Sequence, residues 1–434
     1  MTSSGKASRG SGVPRLRYSI ALILGLGVLV NYFDRVNVSV AQSSLHHDFG
    51  IGAPAFGILS SAYSYTYAAL QIPLGVLLDR YGVMTIGRTS ALLWSVASFL
   101  TAAATGFWTF FGARLLLGIG EAPTFPANAK ATGYWFPRHE RGLATAIFDS
   151  AAKLGTAIAI PVISIVELSF GWRGAFVFTG ALSLVFFALF YVFYRNPSQD
   201  ARLSDEERRY IQDGGAQPEA PLTAGSAGAG LGYLLRQRKV WGLTIGFSAY
   251  GYSFYLFLTW LPSYLATSLH LGLIKSGWFA AIPWLIAAAS DLIVGGWLVD
   301  FLIERGFEPT RVRKTILVIG LLLGLAIVGA TQTHDPVVAT IWISIALAGL
   351  AASAPIGWSI PALVAPTGSV GRVSGVMNFF NNLMAIVAPT VTGFIVGATN
   401  SFTNAFLAAG VFLLVGIASY LFVLGKIEPI PDPG

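Results

Sequence analysis

Apolar residues fill most of this chain in long runs, and the polar residues between them gather in short bands. An α-helix needs roughly 20 apolar residues to cross a bilayer. Twelve runs fit, at 18–42, 54–77, 85–104, 107–130, 142–164, 174–194, 240–265, 277–299, 314–331, 336–360, 371–397 and 402–424. Membrane-spanning strands would instead alternate in weaker segments of roughly ten residues. The pattern predicts an all-α membrane protein with twelve transmembrane helices in two pseudo-symmetric six-helix bundles. The interruption between the sixes holds ARLSDEERRY, expected as a short surface helix. It also holds GGAQPEAPLTAGSAGAG, whose glycine, proline and alanine read as flexible linker. The expected divisions are a cytoplasmic tail 1–17, a bundle 18–194, a cytoplasmic linker 195–239, a bundle 240–424 and a cytoplasmic tail 425–434.

Composition agrees. Of 434 residues, 54% are hydrophobic and 11% charged, against about 25% charged in a soluble domain. The apolar run Tyr18–Val30 leads into Asn-Tyr-Phe-Asp-Arg, and many spans follow, so it reads as a retained first helix and not a signal peptide. With the N-terminus inside, 21 of the 27 Lys and Arg residues fall on the cytoplasmic side and only Arg173 and Lys275 outside. This bias puts both termini in the cytoplasm. It also accounts for the net charge of +7 without a nucleic-acid partner. There is no cysteine, which removes disulfides and thiolate chemistry. The five histidines sit in loops or at helix ends, and no HExxH or paired-acid metal motif is present. No cofactor or metal is expected. A membrane-embedded enzyme, the alternative of another class, lacks visible machinery.

Charge inside the spans changes the picture. Ionised groups in hydrocarbon are costly and face a bundle interior or a water-filled path. The stretch LVNYFDRVNVSVA, 29–41, carries Asp34 and Arg35 side by side, with Asn31, Tyr32 and Asn37 around them. At about 1.5 Å per residue they lie roughly 24–26 Å above the cytoplasmic start of span one. Arg114 falls at a similar level in span four, Glu121 two turns below it, and Lys153 near the midplane in span five. Asp34, Glu121 and Asp149 nearly balance Arg35, Arg114 and Lys153. Two readings stay open: static interhelical locks, which are costly to break, or a working site. For the second, Arg35 and Lys153 are candidates to hold an anion, Arg as a planar fork and Lys as a point charge. Asp34 and Glu121 are candidates for proton coupling, since carboxylates titrate with desolvation and nearby cations. Protonating Asp34 would loosen its hold on a nearby arginine. Asp149 stands one turn before Lys153, so a local pair is the plain account of both; an extra cation there would favour a dianion.

Tyr63, Tyr67 and Gln71 share a face of span two, where phenol and amide groups can bond sugar hydroxyls. The second half has one embedded acid, Asp291, readable as a titrating group, an ion-pair member or a sodium ligand. Span seven brings Tyr250, Tyr252, Tyr255 and Trp260. In span eleven, Asn378, Asn381 and Asn382 should bond across helices or to a ligand, with Asn378 and Asn382 on one face. The halves echo each other at Gly75–Arg88, with Asp79, Arg80 and Arg88, and at Gly296–Asp300, followed by further basic residues. Such repeats support alternating access about a midplane site.

At these residues the chain resembles the major facilitator superfamily over essentially its whole length. Gly75–Arg88 matches its loop motif, with the usual tandem basic pair reduced to Arg88. NYFDRVNVSVA and GIGEAPTFPANAKATGYWFP, at 118–137, resemble the anion:cation symporter branch, whose members move hexuronates, galactonate, glucarate, tartrate and phthalate-type acids. The resemblance implies an alternating-access fold, with Asp34 and Glu121 coupling protons and Tyr32, Arg35 and Tyr67 contacting substrate. Where some sugar-acid members carry a glutamine, this chain has Ala151, Ala152 and Lys153. The expectation is therefore proton-coupled symport of a small organic anion, a hexuronate, aldonate or aldarate. The alternative is a sodium- or potential-driven carrier of a dicarboxylate or aromatic acid. Tyr32, Arg35, Tyr67, Lys153, Asn378 and Asn382 are the expected substrate contacts. Asp79, Arg80, Arg88, Arg114, Asp149 and Asp300 are expected in structural or gating roles, and Gln71 and Asp291 are left between the two. The carrier is expected as a monomer in a bacterial inner membrane.

Overall fold

Every regular element among the described residues is a helix. The computed structural model describes residues 15–137, 140–216, 219, 229–366 and 369–432, and the side chains at 72, 75, 76, 79 and 142 lie outside that description. Twelve long rods result among these residues, at 16–40, 53–81, 83–102, 107–135, 141–170, 172–193, 238–267, 273–304, 309–332, 336–364, 370–399 and 403–423. Among the described residues, eight stretches are long and apolar enough by composition to cross a membrane, and one of these, Leu143–Phe193, is 51 residues long and bends midway.

Several connections are tighter than the hydrophobic pattern predicts. Within Ala53–Ala102 two helices join directly across a kink at Gly82, φ 75°, and within Arg141–Phe193 two join at Gly171, φ 71°. A glycine reaches that backbone region without steric cost, so a single residue replaces each expected loop. Span four breaks instead of running through, into Phe107–Glu121 and Thr124–Trp135. Pro123 and Pro126 both lack the N–H a helix needs. The carbonyl of Ala122, whose helical donor would be residue 126, is met by Gln71 Nε2 at 3.3 Å. Gln71, which also reaches the Tyr67 carbonyl, thus satisfies a broken helix. Span eight widens into a π-helical stretch, Asp291–Leu298, before closing as Val299–Glu304.

The two halves meet at the end remote from the 195–239 linker. A Cβ on Gly57 would lie 2.5 Å from the Pro389 carbonyl oxygen, and one on Gly393 2.5 Å from that of Ala53. Glycine at both places lets the backbones touch. Ser61 and Thr390 share a hydrogen bond at 3.2 Å, and Ser39 Oγ donates to the Thr259 carbonyl at 2.6 Å; within the second half, Trp260 Nε1 donates to the Pro389 carbonyl at 3.2 Å. One buried apolar core crosses both halves there through Phe56, Trp260 and Phe402. At the linker end, Ile20, Leu78, Trp94, Trp135 and Phe190 pack among first-half residues.

The ARLSDEERRY stretch forms the helix Asp205–Asp213, capped by Ser204. Its Glu207 carboxylate accepts from the Leu16 and Arg17 backbone N–H groups at 3.1 and 3.2 Å, and from Arg17 Nη1 at 2.9 Å. Negative charge is favourable at a helix N-terminus. Arg17 also pairs with Glu140 at 2.7 Å, and Tyr210 Oη donates to the same carboxylate. Arg88 donates to the Tyr191 carbonyl at 3.1 Å and stacks on that ring, tying rods of one half. Arg80 is exposed beside Tyr81, and Asp300 is exposed. The expectation for the Asp79 carboxylate falls outside the described residues.

Candidate functional site

Between the halves lies a cavity of about 100 Å³ lined by both. The first half supplies Tyr32, Arg35, Tyr67, Phe125, Asp149, Ala152 and Lys153. The second half faces them with Phe247, Tyr250, Phe254, Tyr255, Trp358 and the asparagines 378, 381 and 382. A larger hollow of about 470 Å³ between Leu273–Ser290 and Pro336–Val364 contains no charged side chain, which directs attention to the central one.

Arg35 is the best-defined group. Its Nε donates to Glu121 Oε2 at 2.8 Å, and both side chains are almost wholly buried. The guanidinium carbon lies 5.0, 5.2 and 5.1 Å from the ring centres of Tyr32, Tyr63 and Tyr67. Three aromatic faces can stabilise a desolvated cation. Glu121 ends the Phe107–Glu121 helix just before the proline break. On each partner a buried atom stays without a hydrogen bond: Arg35 Nη2 and Glu121 Oε1. A buried charged group with an empty donor position is costly unless something fills it.

Asp34 corrects an expectation. Its position beside arginines suggests a carboxylate holding a guanidinium, yet that carboxylate accepts from Ser98 Oγ at 2.6 Å and Ser183 Oγ at 2.8 Å, in a fully buried hydroxyl pocket. Adjacent residues on a helix point about 100° apart, so Arg35 faces the cavity while Asp34 faces the 83–102 and 172–193 rods. Arg114 Nη1 donates to the Asp34 backbone carbonyl at 3.1 Å, not to the carboxylate, and its guanidinium lies 5.5 Å from the Tyr63 ring centre. Arg114 Nε and Nη2 make no hydrogen bond.

Lys153 does pair with Asp149, at 2.7 Å, as the one-turn spacing predicts. It also meets Asp291 at 2.5 Å, from the other half. The membrane-embedded acid of the second half is thus an ion-pair member. Asn382 Nδ2 donates to the Asn378 backbone oxygen at 2.9 Å and to Asn378 Oδ1 at 3.0 Å, the i,i+4 face predicted. Asn381, absent from the expected contacts, lines the cavity with its Oδ1 unpartnered. The walls Phe125, Phe247, Phe254 and Trp358 carried no signal separating them from lipid-facing aromatics. Gln71 is outside the cavity lining, at the helix break.

Comparisons with known proteins bear on the family and the fold. Residues 24–389 match the Major Facilitator Superfamily. The chain is 42% identical to the transporter YybO of Bacillus subtilis (strain 168), over 95% of each chain. It is 34% identical to the probable galactarate/D-glucarate transporter GarP of Escherichia coli (strain K12), again over 95% of each. The fold is similar, with TM-score 0.75 and 16% identity over 95% of this chain and 97% of the other, to the crystal structure of a bacterial homolog of the human lysosomal transporter Spinster in an inward-facing and occupied conformation. A charged cavity between paired helical halves, and a match across most of the length, identify the chain as a multi-pass membrane transporter, not an enzyme, that belongs to the Major Facilitator Superfamily.

Proposed function

We propose that the chain is a proton-coupled symporter of a sugar acid in a bacterial inner membrane, with both termini cytoplasmic. Six-helix bundles at 18–194 and 240–424, joined by the 195–239 linker, would rock about the central cavity. The observation that carries this reading is Arg35, whose buried Nη2 has no partner at the wall of a cavity rich in phenols and amides. A substrate carboxylate would take Nη2, while Tyr32, Tyr67, Asn378 and Asn382 would meet hydroxyl groups and Lys153 would add a second cation. The name of the relative GarP, a probable galactarate/D-glucarate transporter, supports the substrate class.

Coupling follows from competition. Ionised Glu121 and a substrate carboxylate both seek the Arg35 guanidinium. A proton on Glu121 weakens its claim and removes repulsion, so anion and proton bind together. Asp34, held by two hydroxyls one residue away, would be the second proton site. Arg114, Asp149, Arg80, Arg88, Asp79 and Asp300 would position or gate. The far-end seal supports a state that admits solutes from the linker side.

The test is uptake into liposomes of galactarate, D-glucarate and galactonate, under an inward proton gradient, a sodium gradient or neither. Accumulation driven by protons alone is expected. Accumulation that follows sodium, or proceeds equally without any gradient, would overturn proton coupling. Absence of binding by all three acids would overturn the substrate class.

A further inference from the structure

Two carboxylates share one ammonium at Lys153. Asp149 Oδ2 lies 2.7 Å from Nζ and Asp291 Oδ2 2.5 Å, which keeps the two acids within about 5 Å of each other, a distance at which like charges oppose. The two bonds differ in kind. Asp149 is one turn away on the same helix, so its bond travels with Lys153. Asp291 comes from the opposite half, and its contact parts whenever the halves separate there. It is the shorter of the two, yet only the Asp149 contact is held within one helix. Asp291 also opens the π-helical stretch Asp291–Leu298, a rare winding that is frequent at functional sites. Lys153 and Asp149 line the cavity, and Asp291, 4% exposed, stands behind them.

We propose that Asp291 is a built-in carboxylate standing in for substrate at Lys153: it ties the halves together in the empty carrier, and the second carboxylate of a dianionic sugar acid displaces it. This rests on the sugar-acid reading and narrows it. One carboxylate of an aldarate goes to Arg35, the other takes the ammonium from Asp291. An aldonate has a single carboxylate and leaves the tie in place. Asp291 thus sets selectivity without touching the bound anion.

Binding isotherms on purified chain in nanodiscs test this, with D-glucarate as dicarboxylate and D-galactonate as monocarboxylate. Asp291→Asn keeps Lys153 paired with Asp149, so no buried cation is stranded. It should tighten glucarate binding by about tenfold, the scale of one charge-assisted contact, and leave galactonate within about twofold. Lys153→Gln should weaken glucarate to the level of galactonate. Unchanged or weaker glucarate binding by Asp291→Asn would overturn the proposal. A second measurement needs no change at Asp291. The chain has no cysteine, so spin labels at the exposed positions Tyr81 and Phe307 report the separation of the halves. Glucarate should shift that distance and galactonate should not; an equal response to both would overturn the tie. Galactonate binding with no Asp291 effect sinks this proposal alone, whereas a wild-type chain that binds neither acid sinks the sugar-acid reading with it.

Discussion

Replacing Arg35 by lysine tests the site at its centre. The wild-type guanidinium commits Nε to Glu121 at 2.8 Å and leaves Nη2 free. A fork can serve two carboxylates at once, whereas an ammonium on a shorter reach is a point charge. Lysine keeps the positive charge, so Glu121 keeps a counter-ion and the buried pair is not broken. Arg35→Gln would strand the Glu121 carboxylate, at a cost of about 3–5 kcal/mol, and confuse folding with binding. The lysine variant should lose one charge-assisted hydrogen bond to the anion, worth about 1.5–3 kcal/mol. That corresponds to a roughly 10- to 150-fold weaker Kd. Calorimetric titration of glucarate into the variant in nanodiscs reads it directly, with thermal denaturation as the check on folding. A folded Arg35→Lys protein with a Kd within about twofold of wild type would refute the assignment of Nη2 to substrate.

Asp34→Asn preserves volume in the Ser98–Ser183 pocket, so counterflow exchange should persist while proton-driven uptake falls to equilibration; normal accumulation would remove Asp34 from coupling. Gly57→Val forces side-chain atoms into the Pro389 carbonyl, 2.5 Å from an ideal Cβ, and should open the far-end seal. Faster maleimide labelling of a Ser61→Cys reporter, buried in the wild type, is the readout, and unchanged labelling would count against the seal. Glu207→Gln removes the charge that caps the first helix and pairs with Arg17. It should cost about 3 kcal/mol, seen as a lower Tm and faster proteolysis near the linker; an unaltered Tm would show the latch to be weak.

The helices themselves were legible because a bilayer imposes a length and an apolar character on anything that crosses it. Their ends were less so. Gly82 and Gly171 each turn the chain in one residue, which hydropathy cannot distinguish from a short loop. The break at Pro123 falls inside a run read as one continuous span, 107–130, and its repair by Gln71 was not legible either, since the pairing of a span-two amide with a span-four carbonyl depends on how the rods pack.

Within the site, whatever follows from helical spacing could be read directly. Asp149 with Lys153, and Asn378 with Asn382, are i,i+4 pairs, and the backbone geometry alone brings them together. That Asp34, Arg35, Glu121 and Lys153 must be sheltered from lipid followed from the cost of charge in hydrocarbon. Who shelters whom did not. Arg35 and Glu121 are 86 positions apart. Ser98 and Ser183, which hold Asp34, are single hydroxyls in apolar runs and look like any other. Asp291 reaches Lys153 from the opposite half, and Phe125 and Trp358 become cavity walls by facing inward. The amino-acid sequence determined that this chain spans a membrane with unusual charge inside it. The tertiary structure decided which charges meet, because a side chain's partner across helices is set by rotation and depth of each rod, and these are fixed jointly by all the contacts that close the bundle.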